Sequence, residues 1–207
     1  MTKGRLEAFS DGVIAIIITI TILLIDLPDG DDMQALMGIM PLVGCYLISF
    51  ILVGTNWVNH HHLLQVARQV DGRILWANLG YLFILSFMPV GTGWVGRSQF
   101  AMLPVRVYVI INLASALSYF LLEKAIIRAS GSETLKAAVD ESNKELWTFV
   151  VEGMALAASF VQGIHYVSCP LLVVAMAPWI VPDLRMKRVF EDAQRSHGQK
   201  RERNEKP

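Results

Sequence analysis

Charge is the first thing this chain is short of. Of its 207 residues, 17% are Asp, Glu, Lys or Arg, where soluble domains carry about 25%. Hydrophobic residues make up 54%, and the mean hydropathy is +0.45. That is the composition of a chain solvated by lipid rather than by water. Cysteine is scarce as well. Cys45 and Cys169 both stand in apolar runs, which argues against a disulfide framework and against a metal cluster. The sequence has no glycine-rich phosphate loop, no nucleophile–base arrangement and no internal duplication. No enzyme activity, catalytic residue, cofactor or nucleic-acid partner is therefore expected. The first apolar segment lacks a small-x-small cleavage site and ends in an acidic turn, so it is expected to be a retained span.

What is abundant is uncharged apolar length. The stretch Arg5–Leu27 opens with charges, runs apolar from Gly12 to Ile25 and closes on Asp26 and Pro28. With its flanks it reaches the roughly 17–25 residues that cross a ~30 Å hydrocarbon layer as a helix. Ile16, Ile20, Leu23 and Leu27 recur at helical spacing and form one apolar stripe. Asp11 falls nearly opposite that stripe. Thr19 and Thr21 carry hydroxyls that a helix satisfies through its own carbonyls.

Further spans follow. The second segment runs from Met33 to Arg68, apolar from Ala35 to Trp57, with a kink expected at Pro41. The third is Ile74 to Val95, the fourth Met102 to Leu122, the fifth Leu146 to Val167. The sixth, Pro170 to Val181, is short and flanked by proline; it reads as a tilted or partly buried helix, or as one that begins earlier. A surface helix is expected near Glu133–Val139, and the tail 185–207 is charged and expected to be partly disordered. Residues 1–184 thus read as one all-α membrane domain with six spans and both termini on the same side. Of the 18 Lys and Arg, only Arg97 and Arg106 fall on the proposed outer side and the other 16 on the inner, as the positive-inside rule requires for cytoplasmic termini.

Arg5, Ser10 and Asp11 are open to two readings. They form an ordinary helix start with a capping side chain, or a packing anchor. A carboxylate inside the apolar margin needs donors, and His60, His61, His62, Trp76 and Asn78 are expected at the same depth. The anchor is the favoured reading. The three consecutive histidines point about 100° apart on a helix and cannot share one ion, so hydrogen bonding is expected rather than a metal site. Asp26, Asp29, Asp31 and Asp32 read equally as a solubilising turn or as a cation-attracting outer vestibule.

The sequence Arg5-x-x-x-Phe9-Ser10-Asp11 at the mouth of the first span resembles the signature of the potassium channels related to transmembrane protein 175, an endolysosomal family with bacterial members. The resemblance implies a potassium-preferring cation channel in the cell membrane, the inner membrane of a bacterium. It implies a homotetramer in which the first helix of each unit lines the axis. Ile16 stands where the family's constriction begins, five residues past Asp11, with Ile20 and Leu23 as the next rings and Thr19 and Leu27 beside them. There is no TVGYG-type carbonyl filter. Selectivity among potassium ions and their rivals is then expected from an apolar neck that strips water. The rival readings are a secondary transporter, and a membrane enzyme or scaffold with a histidine-based site.

Overall fold

The computed structural model describes residues 2–67, 69–130 and 143–180. Over these the chain is helical: α1 (Lys3–Ile22), α2 (Met33–Val66), α3 (Gly72–Leu85), α4 (Met88–Arg97), α5 (Met102–Ser130), α6 (Lys144–Ala158), a 3-10 turn (His165–Val167) and α7 (Ser168–Ile180). Taking α3 and α4 together gives six helical units. By length and composition, three are apolar enough to cross a membrane: Met33–Val66, Gly72–Arg97 and Met102–Ser130. The expected surface helix near Glu133–Val139 and the tail from Arg185 lie outside the described residues.

Four of the expected boundaries need correcting. The fourth span, expected to end at Leu122, runs on as helix to Ser130. The first helix ends at Ile22, not Leu27. Past it, Leu23, Leu24 and Ile25 donate to carbonyls three residues back, the tightened turn common at a helix end. Pro28 then restricts Leu27 to extended backbone. Leu27 therefore leaves the helical stripe. The third span is broken at Ser86–Phe87 into α3 and α4, because Pro89 has no N–H to give the Leu85 carbonyl that a continuous helix would aim at it. The fifth helix stops at Ala158, well before Val167; Gly163 follows at φ +84°, a turn geometry natural to glycine. The sixth begins slightly earlier than Pro170, at Ser168.

Helix starts follow from the acidic turns. Asp32 accepts from the Ala35 N–H at 2.8 Å and Asp71 from the Ile74 N–H at 2.9 Å, each satisfying a donor that the first turn leaves free. Between helices, small residues and hydroxyls do the packing. Ser49 Oγ lies 2.6 Å from both the Tyr108 hydroxyl and Thr92 Oγ1, and Thr92 donates onward to the Met88 carbonyl at 2.7 Å. With Thr92 committed as a donor there, the chain of donation runs Tyr108 to Ser49 to Thr92. It ties α5, α2 and α4 together, as polar residues do between membrane helices.

Gly96 sets the approach of α4 to α2. A Cβ there would lie 2.8 Å from the Leu42 Cα, and backbone cannot swing aside. Gly96→Ala is expected to push the two helices apart and to cost about 1–3 kcal/mol. A lower melting temperature in detergent would show it; an unchanged one would mean that α2 shifts freely.

Candidate functional site

Helix α1 has two faces. Leu6, Ser10, Ile14, Ile17 and Thr21 are buried against the bundle, where the principal neighbours are α2, α3 and α4. The other face is open. Ile16 is 57% exposed, Ile20 46% and Leu23 78%, and Arg5, Phe9, Gly12 and Thr19 are exposed along the same side. Spacings of three and four residues put these on one stripe of a helix. Ile18 is half-buried and packs against the core. Thr19 donates to the Ala15 carbonyl at 2.9 Å and Thr21 to the Ile17 carbonyl at 2.6 Å, so neither hydroxyl draws the helix towards a neighbour.

The motif at the head of α1 divides its work. Ser10 is fully buried and donates to the Leu6 carbonyl at 2.9 Å, while its oxygen accepts from the Asn78 amide at 3.0 Å. Asn78 in turn accepts from His60 Nε2 at 2.7 Å. An amide oxygen only accepts, so the ring proton must sit on Nε2. His60 Nδ1 is then buried without a partner among the described residues. Tyr81 stacks on His60 at 5.5 Å between centroids, and its hydroxyl donates to Asn56 at 3.1 Å. One buried polar string thus joins α1, α3 and α2.

Asp11 goes elsewhere. Its Oδ1 accepts from the Trp57 indole at 2.9 Å, and neither His60, His61, His62, Trp76 nor Asn78 is its hydrogen-bond partner. Geometry explains the difference: Ser10 faces the α2–α3 groove, and the next residue points about 100° away, along α2. His60 and Asn78 are brought to Ser10 instead. His61 pairs with Gln65 at 2.9 Å, His62 is exposed, and Trp76 is 76% exposed. Trp57 went unnoticed in the sequence as a partner, although an indole donor at the end of the second apolar run was its signal.

The Asp11–Trp57 bond is half-open to solvent, so Asp11→Ala is expected to cost about 1 kcal/mol. That is less than loss of the buried Asn78. Equal destabilisation by both substitutions in a thermal-shift assay would contradict this ranking.

At the opposite end of α1, Asp26 meets Arg97 at 3.3 Å, and the same guanidinium donates to the Leu24 carbonyl. The pair is exposed and worth at most about 1 kcal/mol. Asp29 and Asp31 are exposed, and Asp32 is spent as the α2 cap.

Over 193 residues the chain is 44% identical to a potassium channel of Chryseobacterium sp. (strain P1-3), covering 93% of this chain and all of that one. The chain belongs to the TMEM175 family. The model of that family, described as "Endosomal/lysosomal potassium channel TMEM175", matches residues 5–89. These include most of α1, all of α2 and α3, and the start of α4. A potassium channel of Streptomyces collinus is 41% identical over 86 residues, 40% of this chain and 42% of its own. The structure is similar to the crystal structure of a lysosomal potassium-selective channel TMEM175 homolog from Chamaesiphon minutus. That likeness has a TM-score of 0.75 at 26% identity and covers 87% of this chain and 97% of the other.

Two buried carboxyls escaped the sequence reading. Glu123 near the end of α5 is 4% exposed and Glu152 in α6 is 1% exposed, and each has an oxygen without a hydrogen-bond partner. A lone acidic residue inside an apolar run was the available signal for Glu152.

Proposed function

We propose that this chain is the subunit of a potassium channel, and that ions pass along the open stripe of α1. Family membership and the similarity to potassium channels of other bacteria support the activity. The stripe itself supports the pathway: an uncharged row of Ile16, Ile20 and Leu23 along the C-terminal part of a helix whose other face is committed to the bundle. Exposure alone is not distinctive, since Phe83, Leu117 and Met154 are also exposed on other helices, as lipid contact demands.

In this reading four copies of the six-span unit assemble with α1 nearest the axis and both termini cytoplasmic. Ile16, Ile20 and Leu23 form stacked rings, and Thr19 sets hydroxyls beside them. Leu27 stands past the end of the helix as an apolar rim. Hydrophobic constrictions close by dewetting, and ions that enter shed water. Shedding water costs the smaller sodium ion more than potassium. Arg5, Phe9, Ser10 and Asp11 hold α1 in register at the inner mouth, through Asn78, His60 and Trp57. Asp26 and Asp29 contribute negative charge at the outer mouth, with Asp26 partly offset by Arg97. The charged tail 185–207 stays on the cytoplasmic side of a bacterial inner membrane.

Purified protein reconstituted in planar bilayers tests the activity. Large unitary potassium currents are expected, together with tetramer mass in mild detergent. Transport that is slow and without unitary steps would instead favour a carrier, and a stable monomer or dimer would sink the shared pore.

A further inference from the structure

A second polar site lies away from α1, in the seam between α5 and α6. The two helices run antiparallel. Phe120 meets Phe149 edge to face, with centroids 6.0 Å apart, and Arg106 reaches the Ser159 carbonyl at the far end. That register sets Glu123 level with Glu145, and their carboxyl groups come within hydrogen-bonding reach of each other. Carboxylate oxygens only accept, so two of them hydrogen-bond only when a proton lies between them. Glu123 Oε2 and Glu145 Oε1 are each buried and meet no hydrogen-bond partner among the described residues.

Beside the pair lies a cavity of about 30 Å³, lined by Asn56, Asn59, Tyr119, Glu145, Thr148 and Trp179 among others. That is room for roughly two waters with polar partners, and too little for an organic ligand. Among the described residues, the charged groups facing the pair are Lys124 on α5 and Lys144 on α6. Tyr119 is one turn back on α5, with Tyr81 of α3 against it. From α2 come the amides Asn56 and Asn59, with His60 the next residue along, and α7 offers Met176 and Trp179.

We propose that Glu123 and Glu145 are a proton-binding pair, holding one proton between two carboxyl groups and exchanging it with water in the adjoining cavity. Release hands the proton to a cavity water and leaves two carboxylates facing each other, so the α5–α6 seam loosens when the proton leaves. The seam reaches α2 directly, because Tyr119 donates to the Asn59 carbonyl at 3.2 Å and Trp179 closes on Tyr119 edge to face. The site stands whether or not α1 lines the pore.

Infrared titration of the reconstituted full chain tests the proposal. Interacting carboxyls lose their protons in two coupled steps, and the parent's carboxyl band is expected to disappear in that way. Glu145→Gln, at a half-exposed position, removes one partner. Glu123 should then titrate in a single step displaced by about one pH unit or more. Glu152 contributes alike to both proteins and cancels in their difference. Identical titrations of parent and variant would overturn the pair. Should Glu145→Gln fail to fold, Glu145→Asp keeps the charge and withdraws the carboxyl by one methylene. The two steps should then draw together, and steps that do not move would overturn the proposal equally.

Discussion

Ile16→Asn is expected to raise conductance and to lower the preference for potassium over sodium. In the proposed pore the parent neck would present only branched hydrocarbon, so water would leave it readily and an entering ion would surrender part of its shell. A ring of amides changes both terms. It wets the neck, and its carbonyl oxygens replace some of the lost hydration. Each ~1.4 kcal/mol removed from the barrier is about tenfold in rate, and a change of about that size in conductance is expected. Selectivity should fall, because in the proposed pore the discrimination rests on dehydration. Ile18→Asn is the control: its side chain is half-buried against the core, so it should lower yield and stability with little effect on ion preference. Reversal potentials under potassium–sodium gradients decide between them. If Ile18→Asn changes selectivity and Ile16→Asn does not, the wrong face of α1 has been assigned.

Asn78→Ala is expected to be the most destabilising change at the motif. It strips a partner from both Ser10 and His60, two fully buried residues. A buried polar group left unpaired costs about 1–3 kcal/mol, so about 2–6 kcal/mol is at stake. Helix–helix hydrogen bonds in membranes average only about 0.6 kcal/mol, since the separated helices find other partners. The lower end of the range is therefore expected, about 2 kcal/mol. Ser10→Ala should cost less, because Asn78 keeps its bond to His60. Melting of the purified channel, followed by loss of the assembled peak in size exclusion, gives the order. If Ser10→Ala proves worse than Asn78→Ala, the string is not anchored on the amide.

The helical character and the placing of most helices were legible in the sequence because lipid imposes a length and a composition on every span. Met33 and Met102 were read as helix starts, and both are. The ends were harder to read, for local reasons. Hydropathy runs on past Ile22 and through Ser86–Phe87, while the backbone answers to Pro28, which restricts the residue before it, and to Pro89, which lacks a donor; a hydropathy pattern registers neither. At the motif, the residues that matter on α1 were visible, but their partners were only half assigned. His60 and Asn78 were named and belong to Ser10, while Asp11 is met by Trp57. Which of two adjacent residues faces which groove depends on helix rotation, fixed by packing between segments 46 or more residues apart. Glu123 and Glu145 could not be paired by reading along the chain, since the antiparallel register that aligns them is a property of the folded seam.

The central claim is that the open stripe of α1 lines the ion path, and thiol modification tests it most directly. Cys45 and Cys169 are both buried, so the parent should be indifferent to a membrane-impermeant cationic thiol reagent. Ile20→Cys places a thiol on the stripe, and Ile17→Cys places one on the buried face three residues earlier. Current through Ile20→Cys channels is expected to be blocked by the reagent and restored by a reductant, with Ile17→Cys unaffected. Block of Ile17→Cys with Ile20→Cys untouched would contradict the account.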